Sequence, residues 1–232
     1  MTAQVLPPAQ GRFHEDLGIW IRIAPRAGAA TCAALFLDRD GVIVEDTGYL
    51  SDPSDVALIP GAAEIILAAN QAGVPVVVIT NQAGIARGYF GWEQALTVQE
   101  ALDRKLAASG AFLDGFLACP YHREGLPPWY HPEHPARKPR PGMLFAAAQL
   151  MHLSLRDSWI VGDKLDDLLA GYNAGLRGAL HVLTGHGLAE RPSVVAWNPP
   201  RFEIRLGNTI AEAAELLNHQ NRVHPNHIRN QP

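Results

Sequence analysis

Five short apolar runs stand out along the chain, at residues 32–37, 74–79, 116–119, 159–161 and 179–183. Between most of them apolar positions recur at three- and four-residue spacing. Residues 32–37 end in acidic residues, the mark of a buried strand. Residues 62–72 read as a helix, opened by Pro60 and Gly61 and closed by Gly73. Residues 74–79 are the strongest strand, β-branched and continuously apolar, as strands covered on both faces tend to be. Pro75 falls at the start of that strand, where a missing N–H donor is tolerated. Residues 92–109 predict a long helix stopped by Gly110, and 116–119 a third strand. Residues 120–141, rich in Pro and His, predict irregular chain. Residues 142–153 predict a helix with Leu144, Phe145, Ala148 and Met151 at core spacing. A fourth strand at 159–161, a helix at 164–174 stopped by Gly175 and a strand at 179–183 follow.

Strands alternating with helices predict an α/β fold, a central parallel sheet with helices on both faces in three Rossmann-like layers. Residues 31–218 are expected to form that domain. Residues 1–30 read as an irregular extension with one edge strand at 19–23, and 219–232 as a polar tail. No internal repeat and no second core are visible.

Composition narrows the class. The 232 residues are 47% hydrophobic and 18% charged, which excludes wholesale disorder. A net charge of −4 gives no general attraction to nucleic acid or to anionic membranes, and neither is an expected partner. Two cysteines are too few for a disulfide scaffold and suit a reducing cytosol. No apolar run approaches the roughly 20 residues that cross a bilayer. The expectation is a soluble cytoplasmic monomer.

In an open parallel sheet, ligands collect beyond the carboxyl ends of the strands. The polar residues that follow each apolar run are therefore the candidates. The first run gives Asp38-Arg39-Asp40-Gly41, the second Thr80-Asn81-Gln82, and the fourth Gly162-Asp163-Lys164 with Asp166 and Asp167 beyond. The Pro/His segment delivers Arg137-Lys138-Pro139. Asp-x-Asp-Gly alone is weak evidence. The ordered set of four stations is much harder to produce by accident.

These motifs resemble those of the haloacid dehalogenase (HAD) superfamily, and more narrowly the histidinol-phosphate and heptose-bisphosphate phosphatase family. The resemblance spans about residues 33–185 and extends through Gln82-Ala83-Gly84-Ile85-Ala86-Arg87-Gly88 and Pro141-Gly142-Met143. It implies the HAD fold and a Mg²⁺-dependent phosphomonoesterase. Asp38 would attack phosphorus to form an aspartyl-phosphate. Asp40 would protonate the leaving alkoxide and then activate water. Asp38, the backbone carbonyl of Asp40 and Asp163 would hold Mg²⁺. Thr80 and Lys138 would grip the phosphoryl oxygens, and Arg137 would add a bidentate contact. Asp167 would orient Lys164 or a metal-bound water.

Asp46, Gly48 and Tyr49 occupy the register in which family members meet the rest of the substrate, with Asn81, Gln82 and Lys164 beside them. Arg87 and Tyr89 face the same opening in this reading. No insertion is long enough for a large cap domain, so short loops would carry selectivity. Many relatives hold structural zinc with Cys-x-His and Cys-x-Cys. Here those places read Cys119-Pro120-Tyr121 and His134-Pro135-Ala136, and structural zinc is not expected. The leading substrate is a small phosphorylated metabolite, above all a heptose bisphosphate. Histidinol phosphate and a polynucleotide 3′-phosphate are alternatives, as are transfer to another hydroxyl and a non-catalytic phosphate-sensing scaffold.

Overall fold

The apolar runs become the interior of one sheet because their neighbours along each strand face opposite layers. In β3 (Leu35–Leu37), Leu35 and Leu37 join one buried cluster and Phe36 joins the other. A computed structural model describes residues 11–24 and 31–217 of the chain. Its strands are β1 (Arg12–His14), β2 (Ile19–Ile23), β3, β4 (Val76–Asn81), β5 (Gly115–Cys119), β6 (Trp159–Gly162), β7 (Gly178–His181) and β8 (Glu203–Leu206). They form an eight-stranded sheet in the order β1-β2-β5-β4-β3-β6-β7-β8. From β5 to β8 every pairing is parallel, and β1 and β2 add to the β5 edge antiparallel.

The helices are α1 (Ala62–Gln71), α2 (Ala83–Ala86), α3 (Trp92–Ala108), α4 (Gly142–Met151), α5 (Leu165–Ala174) and α6 (Gly187–Ala196). Ile65, Ile66 and Ala69 of α1 and Val98, Leu102 and Leu106 of α3 fill the cluster on one face. Met143, Leu144 and Ala147 of α4 and Leu168 and Ala170 of α5 fill the cluster on the other. The expected α/β three-layer arrangement is present. The carboxyl edge is overhung by the loops around 38–61, 82–91 and 120–141, and the described residues form no cap domain above it.

Several boundaries differ from the sequence reading. β4 runs on through Thr80 and Asn81 because β5 continues to pair with it there, Thr80 opposite Ala118 and Asn81 opposite Cys119. Of residues 32–37 only the last three join the ladder, and Cys32 makes an isolated bridge to Leu153. Phe145 is half exposed, since the buried face of α4 runs through Met143, Leu144, Ala147 and Met151. The segment 19–23 is a strand, but β1 lies outside it, so it is not the edge. Its sequence Ile-Trp-Ile-Arg-Ile alternates with the sheet period. The helix α6 and the strand β8 lay in stretches that carried no strong periodicity. The expected polar tail at 219–232 and residues 1–10 and 25–30 lie outside the described residues. Among the described residues no helix is long and apolar enough to cross a membrane.

Candidate active site

Register alone brings three stations together. Leu37 pairs with Val78 of β4 on one side and with Val161 of β6 on the other. Asp38 is one residue past that line, and Thr80 and Asp163 are two past it. The connection after β3 runs to β4 on one side and that after β6 runs to β7 on the other, so the β3–β6 boundary is the switch point where open α/β sheets bind ligands. A cavity of about 390 Å³ opens there, lined by Asp38, Asp40, Thr80, Arg137, Lys138 and Asp167 among others.

Lys138 arrives on the 120–141 loop and is fixed from two directions. Asn81 donates to its carbonyl at 3.0 Å and accepts its backbone N–H at 3.1 Å. Its Nζ donates to the Ile79 carbonyl at 2.9 Å and lies 2.9 Å from Asp38 and 2.6 Å from Asp167. Burial works against the ammonium, but the two carboxylates outweigh it and hold Lys138 charged well above the usual lysine range. Burial pushes the Asp38 carboxyl up, with Lys138 opposing. Asn81 thus uses its amide to hold the loop while it also lines the cavity. Asp167 pairs with the Lys138 ammonium, not with that of Lys164, whose backbone N–H it caps at 3.1 Å.

Asp163 is fully buried. Its Oδ2 accepts from the backbone N–H of His186 at 2.7 Å, while Oδ1 has no hydrogen-bond partner. A Cβ on Gly41 or Gly185 would come within 2.5 or 2.3 Å of Oδ2, so two glycines at positive φ keep the space beside this carboxylate clear. Burial, with Asp167 and Asp38 nearby, pushes the Asp163 carboxyl up to about 8. Carboxylate oxygens of Asp38, Asp163 and Asp167 lie within 4.8 Å of one another. An orphaned buried oxygen in an all-oxygen, acidic cluster is the donor set a hard divalent cation takes. The carboxylate of Asp40 stands outside that cluster. Arg39 grips it through Nε at 3.0 Å and Nη2 at 2.8 Å. Gln82 bridges it to Thr80, donating at 3.3 Å and 2.9 Å respectively.

Against this geometry, the chain matches the HAD-hydrolase-like family over residues 135–201. It is 47% identical over 206 residues to the D-glycero-beta-D-manno-heptose-1,7-bisphosphate 7-phosphatase of Mesorhizobium japonicum, covering 88% of this chain and 93% of that protein. The chain belongs to the HAD-like phosphatases. A phosphatase of the same name from Pasteurella multocida is 40% identical, over 68% of this chain and 85% of its own. A HAD-like phosphatase from Mesorhizobium loti superposes with a TM-score of 0.81 at 42% identity, covering 93% of this chain and 99% of that one. The D,D-heptose 1,7-bisphosphate phosphatase of B. bronchiseptica, crystallised with magnesium and phosphate, gives 0.68 at 31% identity, over 81% and 98% of the two chains.

The rim of this phosphatase is polar and open. Asp46 caps Gly48 N–H at 2.8 Å and lies 3.0 Å from His186 Nε2 and 3.8 Å from Lys164 Nζ. Tyr49 meets Tyr89 edge to face, and its hydroxyl accepts from Arg87, which also pairs with Glu124 at 2.7 Å. Arg137 lines the pocket and donates to the Tyr121 carbonyl at 2.9 Å. Among the members of the site not singled out from sequence are Arg39 and His186. Arg39, 1% exposed, sits two residues past β3 with its guanidinium on the Asp40 carboxylate, and a sheet strand buried on both faces gives no alternation from which to read it. His186 follows β7, so the strand-end rule that found the other stations reaches it too.

Proposed function

We propose that this chain is a Mg²⁺-dependent phosphomonoesterase that hydrolyses a sugar bisphosphate of the heptose 1,7-bisphosphate class through an aspartyl-phosphate on Asp38. The observation that carries the reading is the meeting of Asp38, Thr80, Lys138 and the unpartnered Asp163 oxygen at one strand switch point. The names of the relatives supply the substrate class.

Asp38, Asp163 and the carbonyl of Asp40 would hold the cation, with Asp167 in reach. Bound there, Mg²⁺ supplies charge against the phosphoryl oxygens and the approaching carboxylate. Lys138 and Thr80 neutralise and orient the remaining phosphoryl oxygens. An oxygen of Asp38 forms the new bond to phosphorus as the ester C–O–P linkage breaks on its phosphorus side, and the departing alkoxide takes a proton from Asp40. Water then attacks the aspartyl-phosphate, gives its proton to Asp40, and releases inorganic phosphate with Asp38 restored. Arg39 fixes the Asp40 carboxyl at the mouth of the floor for both transfers. In this reading Arg137 serves the sugar and its second phosphate instead of the transferring phosphoryl group, beside the 46–49 loop at the mouth of a cavity of about 390 Å³.

The test is phosphate release from D-glycero-beta-D-manno-heptose 1,7-bisphosphate, histidinol phosphate and a 3′-phosphorylated oligonucleotide, each with Mg²⁺ and with EDTA. The expected result is the highest kcat/KM on the heptose bisphosphate and loss of turnover in EDTA. Metal-independent turnover, or a preference for either competitor, would overturn it.

A further inference from the structure

The β1–β2 hairpin reaches beyond the sheet edge that it extends. Ile19 and Ile21 of β2 pack into one core, while Trp20 and Arg22 turn to the opposite face and hold α3. Arg22 pairs with Asp103, and Trp20 lies 5.4 Å from Trp92, the first residue of that helix. From there aromatic rings continue without a break toward the active site. Phe13 is 5.9 Å from Trp92 and 5.3 Å from Trp129, and Trp129 is 5.5 Å from Tyr121. Tyr121 stacks flat on His134 at 4.1 Å and 7°. Arg137 hangs from those two residues, its guanidinium donating to the Tyr121 carbonyl at 2.9 Å and its N–H to the His134 carbonyl at 3.0 Å.

The hairpin turn closes on the same pair. Gly18 has φ +63°, and a Cβ there would stand 2.5 Å from His134 Nε2 and 2.8 Å from Tyr121. A loop so rich in Pro and His has no regular ladder and must take its order from packing. Cys119 Sγ is 3.8 Å from His134 Nδ1, and among the described residues no third ligand gathers with them.

We propose that the β1–β2 hairpin is a positioning element for substrate recognition, holding Arg137 in place through Phe13, Trp129, Tyr121 and His134. The inference rests on Arg137 as a substrate contact, as read above. Its neighbour Lys138 is anchored separately, by Asn81 and Ile79 of β4. The hairpin therefore governs binding of the substrate's distal part and leaves the phosphoryl-transfer floor alone.

The experiment is Phe13→Ala in the full chain, assayed with Mg²⁺. On D-glycero-beta-D-manno-heptose 1,7-bisphosphate, KM should rise about five- to twentyfold with kcat within about twofold, as expected for lost positioning of a binding group. On p-nitrophenyl phosphate, which lacks a distal group, both constants should stay within about twofold. In an Arg137→Ala background the same change should add less than about twofold to KM, because coupled residues are not additive. Equal losses on both esters, or a full effect without Arg137, would overturn the proposal. Should Phe13→Ala fail to fold, Phe13→Leu must give the same pattern at smaller size, and a uniform loss would again refute it. Hydrogen exchange gives a readout independent of substrate. The amides of Leu126, Trp129 and Arg137 should exchange faster in the variant while those of β3 and β4 do not. Unchanged protection in the loop would sink the brace. A wild-type protein inactive on sugar bisphosphates would sink the functional reading and leave the exchange result to stand or fall separately.

Discussion

Lys138 and Arg87 are two cations on the wall of one pocket, held in opposite ways. The Lys138 side chain is 3% exposed, lies between two buried carboxylates, and is tied to β4 through its backbone and its ammonium. Arg87 is 29% exposed and pairs with Glu124, itself 67% exposed. Burying a charge costs several kcal/mol per ion, and such a cluster persists only when each charge meets a partner. An exposed pair contributes about 0–1 kcal/mol and exchanges readily for another anion. The floor is thus a fixed instrument for the phosphoryl group, common to any ester it receives. The rim is a set of replaceable contacts, and under the function proposed above selection among esters would belong there. That division can be broken by substitution at either level.

The largest effect should come from Asp38→Asn. It removes the proposed nucleophile and leaves Lys138 with one carboxylate, so turnover should fall on the order of 10⁴-fold or more on every ester. Phosphate release under single-turnover conditions checks it, and residual turnover near wild type would remove Asp38 from the mechanism. Asp167→Asn comes next. It spares the nucleophile but strips the closest partner from the Lys138 ammonium, and kcat should drop about 10²-fold with KM little changed. Breaking the buried pair should also cost about 3 kcal/mol of stability, read by denaturant unfolding. A rise in KM alone would place Asp167 with the rim.

The floor should also announce itself through pH. Asp163 stands at about 8 in the folded, metal-free chain against an ordinary 3.8, raised first by burial and then by Asp167 and Asp38. A carboxyl raised on folding binds its proton more tightly in the native state than in the unfolded one. Its contribution to stability is therefore complete below about pH 4 and lost as pH climbs toward about 8. In EDTA the Tm contribution of this group should decline across that window. Added Mg²⁺ should raise Tm by more at pH 8 than at pH 6, because the cation must displace the proton. Asp163→Asn should flatten both trends, and an equal Mg²⁺ gain at the two pH values would argue against Asp163 as a ligand.

What the sequence disclosed follows the same division. Asp38, Thr80 and Asp163 were legible because each follows a buried apolar run, and the carboxyl ends of neighbouring parallel strands meet in space. Lys138 came from motif resemblance, since nothing local reveals that a Pro/His loop bends back to Asn81. The pairing of Asp167 with Lys138 could not be read from sequence for the same reason. Phe145 was misplaced because a helix so rich in Ala has a broad apolar surface, and spacing alone does not choose its buried edge. The hairpin was half visible, since the alternation at 19–23 marks a strand while its partner, the three-residue β1, is too short to carry a period. The rim was least legible. Arg87, Tyr49 and Glu124 meet across three loops, and no periodicity links residues brought together in that manner.

The smallest expected effect is the one that tests the rim directly. Arg87→Gln removes a cation from the pocket mouth without touching the floor, where Lys138, Asp38 and Asp167 make no contact with it. If Arg87 meets the distal phosphate, KM for the bisphosphate should rise about three- to tenfold while kcat holds, the size of an exposed charge-assisted contact. Glu124→Gln should act in the opposite sense. In the free enzyme Glu124 occupies the guanidinium at 2.7 Å, so an incoming phosphate must displace it, and neutralising it should lower KM by up to about threefold. Raised salt should shrink both differences, since exposed charges are screened over about 8–10 Å at ordinary ionic strength. Opposite signs for the two substitutions on a bisphosphate, with neither seen on p-nitrophenyl phosphate, would make Arg87 a selector. The same sign for both would reduce the Arg87–Glu124 pair to a loop strut, and selection would then rest on Arg137 and the hairpin behind it.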